Sequence, residues 1–306
     1  MSSDSQRLRA NLLLLLTAVI WGFAFVAQRS GMEFVGPFTF NAIRFLIGGL
    51  MLIPLMITLD RRRAAASQTI IPLSNRNLLA GGMLVGLILF GAATLQQMGV
   101  ALTTAGKAGF ITSLYVVLVP LLGLALGHRS SAAVWFGAIL AAVGLYFLTI
   151  EGGFNMAWGD LLVLFGAFMW AGHVLLLGRL SPGTDTVKLA FLQFVVCAAL
   201  SAVAALLTET TSAADLRAAL WPLLYTGIMS VGVGYTLQTV AQAHARPADT
   251  AIILSLEAVF AVIGGWLLLG EVLSARALFG CALMLAGILV SQLAGRPEDV
   301  AAEISH

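Results

Sequence analysis

The chain has 306 residues, of which 60% are hydrophobic and only 10% are charged. Soluble domains carry about 45–50% apolar and about 25% charged residues. This chain has too little charge to cover a water-facing surface, so its composition excludes a soluble globular protein, a disordered chain and a coiled coil. The formal net charge of +2 is too small to indicate nucleic-acid binding. Cys197 and Cys281 lie within apolar runs and are interpreted as buried thiols, not as a disulfide or a metal site.

Apolar runs of membrane-spanning length fill most of the chain. A spanning helix needs about 20 predominantly apolar residues. The runs are continuous rather than alternating, which indicates helices and not barrel strands. We therefore predict an all-α polytopic membrane protein with ten transmembrane helices. In chain order they are Asn11–Gln28, Pro37–Leu59, Asn77–Leu102, Lys107–Leu126, Ala132–Ile150, Ala157–Leu180, Val187–Leu207, Leu220–Ala243, Ala248–Leu269 and Ala275–Leu293.

The first span is interpreted as a retained helix, because its apolar run continues into Trp21 without a small-residue cleavage site. Basic residues set the expected orientation. With the N-terminus in the cytoplasm, the inner segments hold about eleven Lys and Arg and the outer ends about four. We expect both termini on the cytoplasmic side of a bacterial-type inner membrane.

The second half of the chain resembles the first at an offset of about 142–149 residues. Residues 1–150 and 151–306 are therefore predicted to be two copies of a five-helix unit. Because five is odd, the second copy must enter the membrane in the opposite direction, an inverted-topology repeat found in many secondary transporters. The matches are Trp21-Gly22 with Trp170-Ala171, Gln96 with Gln238, Ser113-Leu114 with Ser255-Leu256, Phe136-Gly137 with Phe279-Gly280, and Gly144 with Gly287.

Several motifs resemble the EamA family of the drug/metabolite transporter superfamily. They are Ala18–Gly22, Arg44, Asp249-Thr250-Ala251, Ser255-Leu256-Glu257, Leu269-Gly270-Glu271, Phe279-Gly280 and Gly287. The resemblance covers about Leu12 to Leu293, and the overall pattern is similar to YddG-type exporters of aromatic amino acids. It implies ten helices in a five-plus-five inverted arrangement and export of small metabolites. Ala258 stands where the family often has Pro, which speaks against a helix break there.

Aromatic and amide side chains inside the spans are the candidate substrate-binding groups. An aromatic face on symmetry-related helices favours a cage for a flat ring, although rings that pack helices or face lipid remain an alternative. Amides facing lipid would lack partners, so they are expected to line a cavity or a helix interface. The predicted substrate-binding residues are Trp21, Phe25, Gln96, Tyr115, Trp170, His173, Tyr235 and Gln238.

Charged residues inside the spans need a reason, because burial in a bilayer is costly. Glu257 is the deepest acidic residue and the candidate coupling site, with His173 as a second titratable group. A hydrogen-bonded structural carboxyl is the alternative for Glu257. Arg44 shares a helical face with Asn41, and an interhelical anchor is favoured over contact with a substrate carboxylate.

The sequence has no nucleotide-binding Gly-rich Lys loop, no His-Glu-x-x-His pair and no Cys ligand set. We therefore predict no enzyme activity, cofactor or metal, and no nucleic-acid partner. The predicted function is secondary-active export of small amphiphilic metabolites, with aromatic or other hydrophobic amino acids first, by alternating access around a midplane cavity. Export of drugs or quaternary amines and an uncoupled facilitator are the alternatives. The expected partners are the lipid bilayer, the substrate and protons, and we expect a monomer.

Overall fold

The structure is a computed structural model that describes residues 3–124, 131–150, 156–180, 184–242 and 253–293. Within these ranges it is helical throughout, apart from loops and one isolated bridge between Ile150 and Met156. A π-helix, Tyr225–Gly234, joins α10 to α11. The α-helices are α1 (Ser3–Gly31), α2 (Pro37–Ala65), α3 (Arg76–Val100), α4 (Ala105–Ser113), α5 (Tyr115–Leu124), α6 (Ala132–Thr149), α7 (Trp158–Leu180), α8 (Thr186–Thr208), α9 (Ala213–Ala218), α10 (Leu220–Leu224), α11 (Tyr235–Gln242), α12 (Glu257–Leu269) and α13 (Ala275–Leu293).

In the described part of the chain, seven helical stretches are long and apolar enough to cross a membrane. They run from Leu8–Gly31 to Thr186–Thr208, and two shorter apolar helices, Ile253–Leu269 and Ala275–Ser291, follow. The predicted eighth span consists, in its described part, of α10, the π-helix and α11 in succession. The chain is therefore an all-α polytopic membrane protein.

Some predicted boundaries lie outside the described residues. They are the end of the fourth span at Leu126, the end of the eighth at Ala243 and the start of the ninth at Ala248. The Asp249-Thr250-Ala251 motif also lies outside them.

Local chemistry explains where several helices begin and end. Thr104 Oγ1 accepts a hydrogen bond from Lys107 N at 3.1 Å and caps α4. Asp185 Oδ1 accepts from the backbone N of Val187 and of Lys188, both at 3.2 Å, and caps α8. At the other end of a helix, Gly270 adopts φ 66° and terminates α12, a conformation that glycine tolerates best.

Helices α2 and α8 pack antiparallel and are joined at both ends. At the start of α2, the Glu209 carboxylate accepts from the backbone N of Phe38 at 2.9 Å and of Thr39 at 2.8 Å. At the opposite end, Lys188 Nζ lies 2.8 Å from the Asp60 carboxylate, and Arg63 pairs with Asp185. The loops that follow α2 and α8 therefore lie at opposite ends of the helix bundle.

Helices α6 and α13 pack antiparallel through glycines that face one another reciprocally. A methyl group on Gly137 would lie 2.5 Å from Gly287 O, and one on Gly287 would lie 2.6 Å from Gly137 O. One on Gly144 would lie 2.7 Å from Gly280 O, and one on Gly280 would lie 2.6 Å from Gly144 O. Small residues at these positions let the two backbones approach closely.

One-residue interruptions divide the predicted fourth and ninth spans. Leu114 separates α4 from α5, and Leu256 separates residues 253–255 from α12. Ala258 itself lies inside α12, and the helix tightens two residues before it, at Leu256, whose dihedrals stay α-helical (φ −64°, ψ −13°). Leu256 N bonds to Ile253 O at 3.2 Å, a tighter turn than the α-helix makes. Tyr115 and Glu257 become the first residues of the helices that follow.

Candidate functional site

Four aromatic rings from four helical segments form a continuous row inside the bundle. Trp21 of α1 contacts Tyr235 of α11 with ring centroids 5.3 Å apart. Tyr235 contacts Phe194 of α8 at 5.3 Å, and Phe194 contacts Phe45 of α2 at 5.8 Å. We call Trp21, Tyr235, Phe194 and Phe45 the aromatic row. It joins helices from both halves of the chain; Phe45 and Phe194 are buried, whereas Trp21 and Tyr235 stay partly exposed and are of the kind on which a flat apolar group packs.

The sequence prediction included Trp21 and Tyr235 but missed Phe194 and Phe45. Phenylalanines in an apolar run look the same whether they face lipid or the bundle interior. A usable signal was present, because the offset of 149 residues that relates Trp21 to Trp170 also relates Phe45 to Phe194.

The π-helix holds the indole of Trp21. Trp21 Nε1 donates to Ser230 O at 3.1 Å. Gly234 permits this approach, since a methyl group there would lie 2.5 Å from Trp21 Nε1. π-Helices are rare in proteins, and those that occur are often found at functional sites. This one contacts Trp21 of the aromatic row directly.

A chain of side-chain amides lies between α1, α3 and α7. Trp170 Nε1 donates to Gln96 Oε1 at 2.7 Å, and Gln96 Nε2 donates to Gln28 Oε1 at 3.0 Å. Gln97 Nε2 donates to the backbone O of Gln28 at 3.3 Å. The predicted pair Gln96 and Trp170 is thus in direct contact, and Gln28 connects it to α1.

His173 extends this polar region toward α8. Its ring lies edge-on to Trp170, with centroids 5.5 Å apart. Its Nε2 lies 2.7 Å from Gln193 Oε1, so the imidazole and the amide share a hydrogen bond in a buried setting. The predicted residues Trp170 and His173 therefore act as neighbours, with Gln193 as a partner that the sequence did not indicate.

Gln238 does not mirror Gln96. Gln238 is half-buried on α11, and no hydrogen bond joins its side chain to another residue of the described chain. The equivalent indole, Trp21, donates to a backbone carbonyl of the π-helix instead. The two halves thus treat their equivalent tryptophans differently.

Phe25, Tyr115 and Glu257 lie in a second region, around the interrupted helices. Phe25 is buried against α4, and a methyl group on Gly109 would lie 3.7 Å from its ring. Glu257 is buried beside Ser113, the last residue of α4, whose hydroxyl donates to Gly109 O at 2.9 Å. Tyr115 lies close enough to Glu257 to interact electrostatically with it. The residues that flank the two interruptions are therefore brought together.

A cavity of about 480 Å³ opens at the end of the bundle where α1 terminates. Its charged lining residues are Arg29, Glu33, Lys107, Asp160 and Glu271. None of the predicted substrate residues lines it. Its carboxylates make structural contacts: Glu271 accepts from Ala105 N at 2.9 Å, and Asp160 accepts from Thr103 Oγ1. Across the described ranges, no group of three His, Cys, Asp or Glu side chains is arranged to hold a metal.

Comparison with known proteins adds family evidence. The model of the EamA-like transporter family matches residues 8–150 and again residues 157–293. An uncharacterized transporter of Archaeoglobus fulgidus is 33% identical over 94% of this chain and 87% of its own. The uncharacterized inner membrane transporter YedA of Escherichia coli is 27% identical over 50% of this chain and 48% of its own.

A solved crystal structure shares the fold. It is 23% identical to this chain, covers 93% of it and 98% of its own chain, and superposes with a TM-score of 0.63.

Proposed function

The chain belongs to the EamA-like transporter family, and on this premise we propose that it exports small amphiphilic metabolites, aromatic or other hydrophobic amino acids first. The observation that carries the proposal is the aromatic row beside the hydrogen-bonded pair Trp170 and Gln96. Rings suit the apolar part of such a substrate, while amides suit its charged end groups. The chain would work as an integral protein of the inner membrane, as a monomer and with both termini in the cytoplasm.

An inverted repeat of residues 1–150 and 151–306 is part of the proposal. Three observations support it. The family model matches twice, the fourth and ninth spans are interrupted at positions that the repeat equates, and the α6–α13 glycines contact one another reciprocally. A reciprocal contact, in which Gly137 meets Gly287 and Gly144 meets Gly280, is what a two-fold axis between the halves produces. Ten spans in two opposed copies follow from this reading.

The proposed substrate chamber lies between the halves, beside the aromatic row. Tyr115 and Tyr235 support it, because each lies in one of the two regions that hold the candidate residues and each stays partly accessible. In the alternating-access cycle that we propose, the chamber opens to one side at a time as the two halves exchange conformations. The π-helix and the interruptions at Leu114 and Leu256 would absorb the backbone change.

Uptake by counterflow in proteoliposomes tests the proposed substrate class. Liposomes preloaded with an unlabelled aromatic amino acid are expected to accumulate the labelled one faster than empty liposomes do. Trp170→Leu is expected to lower this uptake at least tenfold, because it removes both the ring and the Nε1 donor. Trp158→Leu is the matched control, since Trp158 is 63% exposed on the outer face. Failure of the wild-type protein to accelerate uptake of any amino acid would contradict the proposal.

Proton coupling through Glu257 and His173 is the finer part of the proposal. Both groups are buried within the membrane region, Glu257 near Ser113 and His173 in a hydrogen bond with Gln193. We expect Glu257→Gln to abolish uptake driven by a pH gradient while counterflow without a gradient persists. If Glu257→Gln and His173→Ala both leave gradient-driven uptake unchanged, the protein is an uncoupled facilitator.

Amines are the alternative cargo, because the faces of Trp21 and Tyr235 also suit a cation. Accelerated exchange of quaternary amines without exchange of amino acids would favour this alternative.

A further inference from the structure

Arg44 is a buried cation inside the membrane region, and none of the described residues supplies an anionic partner for it. Its side chain lies in α2, with a residue exposure of 4%. Its Nε is buried and has no hydrogen-bond partner, and no carboxylate of the described residues lies within ion-pair distance of the guanidinium. A charge in this position is costly unless something compensates it. A ligand that supplies a negative charge would provide that compensation.

Asn41 adds a second unsatisfied polar group on the same face of α2. It precedes Arg44 by three residues, which places both on one side of the helix. Asn41 is fully buried, and neither its amide oxygen nor its amide nitrogen has a hydrogen-bond partner in the described part of the chain. Two adjacent polar side chains without partners are unusual in a folded interior. Arg44 Nε and Asn41 Nδ2 are therefore two neighbouring hydrogen-bond donors that have no acceptor among the described residues.

The contacts of Arg44 speak against the interhelical anchor that the sequence favoured. Its guanidinium carbon lies 4.8 Å from the centroid of Phe45 and 5.8 Å from that of Phe40. Both rings belong to α2 itself, and the guanidinium also lies near Cys197 of α8 and Tyr235 of α11. An anchor would instead donate hydrogen bonds to a neighbouring helix. The rings hold the guanidinium in place and leave its donors for another acceptor.

The repeat explains why Arg44 has no side-chain partner. At the offset of 149 residues, Gln193 is the equivalent of Arg44, and Ala24 is the equivalent of His173. Gln193 shares a hydrogen bond with His173. In the first half, the residue equivalent to His173 is Ala24 of α1, a buried residue with only a methyl side chain. In the second half, Gln193 therefore has a hydrogen-bond partner in His173. In the first half, Ala24 cannot form a side-chain hydrogen bond with the equivalent Arg44.

We propose that Arg44, assisted by Asn41, binds the carboxylate of the transported substrate. This inference rests on the proposed function and narrows its substrate class to amphiphiles that carry a carboxylate. A guanidinium matches a carboxylate in a two-point hydrogen-bonded geometry. Arg44 lies over Phe45, the end of the aromatic row, so a substrate with its carboxylate on Arg44 directs its apolar part along the rings.

The test compares matched substrates with and without the carboxylate. Wild-type protein in preloaded liposomes is assayed by counterflow with phenylalanine and phenethylamine, and with tryptophan and tryptamine. We expect each amino acid to exchange at least tenfold faster than its amine. Arg44→Gln is expected to lower amino-acid exchange at least tenfold and to remove the preference for the carboxylate. Arg76→Gln, which removes an exposed arginine at the start of α3, is the control.

A binding measurement keeps the test valid if the variant transports nothing. 3-Phenylpropionate is expected to raise the melting temperature of the wild type and of Arg76→Gln, but not that of Arg44→Gln. Without ligand, Arg44→Gln is expected to melt at or above the wild-type temperature, because it removes a buried charge that has no carboxylate partner among the described residues. A lower melting temperature together with an unchanged ligand shift would restore the anchor and overturn the inference.

The outcomes separate this inference from the proposed function. Equal exchange of amino acids and amines by the wild type, or an unchanged preference in Arg44→Gln, overturns the carboxylate site and leaves the exporter intact. No accelerated exchange of any member of the panel by the wild type overturns the proposed function itself.

Discussion

Replacing Gly144 by alanine tests the close packing of α6 against α13. The new methyl group would lie 2.6 Å from Met284 N and 2.7 Å from Gly280 O, against the 3.4 Å or more of an ordinary contact. Both neighbours are backbone atoms, so neither can rotate away and the helices must separate. Overpacking of this kind costs about 1–3 kcal/mol. Alanine regains about 0.5–1 kcal/mol over glycine in a helix. The expected net loss of unfolding free energy is about 1–2 kcal/mol.

Gly172→Ala in α7 is the matched control, because nothing lies within 4 Å of the added methyl group. It is expected to be neutral or to raise the unfolding free energy by up to about 1 kcal/mol. Equilibrium unfolding of the purified protein in mixed micelles measures both variants. A Gly144→Ala protein as stable as Gly172→Ala would refute the reciprocal glycine contact.

Two further substitutions address the aromatic row and the end of α2. Gly234→Ala would place a methyl group 2.5 Å from Trp21 Nε1 and displace the indole, so counterflow is expected to fall at least tenfold. Gly178→Ala, with nothing within 4 Å, is expected to leave counterflow unchanged, and equal rates in the two variants would contradict the assigned contact. Glu209→Gln weakens the carboxylate cap on Thr39 N and is expected to lower the unfolding free energy by about 1 kcal/mol. Unfolding in micelles measures this loss, and an unchanged value would contradict the role of the cap.

The class of fold could be predicted from the sequence because the membrane imposes a strong and simple constraint. Every backbone group in the bilayer needs an internal partner, so long apolar runs form helices. The described helices α1, α2 and α3 each contain most of the predicted span. The interruptions at Leu114 and Leu256 could not be predicted, since neither residue is a glycine or a proline and the tighter turns depend on packing between helices.

The candidate site was predictable by residue type but not by contact. Polar and aromatic residues stand out in an apolar sequence, and this contrast was enough to select Gln96 and Trp170, which do bond to each other. The hydrogen bonds of the two equivalent tryptophans differ. Trp170 bonds to Gln96, whereas Trp21 reaches the backbone of the π-helix because Gly234 leaves room for it. Local backbone geometry of this kind has no signature in composition or spacing.

For Arg44, too, the residue type could be recognised from the sequence but its contacts could not. A lone cation in an apolar run is recognisable as a site that needs a partner, and an anchor is the commonest solution. Only the structure shows that its rings come from its own helix and that the partner position holds Ala24.

Labelling of equivalent loops from each side of the membrane tests the inverted repeat most directly. Gln68 follows α2 and Thr210 follows α8, and both are exposed. Single cysteines would replace them in a protein whose buried Cys197 and Cys281 are changed to alanine. We expect an impermeant thiol reagent to label Thr210→Cys in intact cells and Gln68→Cys only in inverted vesicles. Labelling of both cysteines from the same side would contradict two oppositely inserted copies.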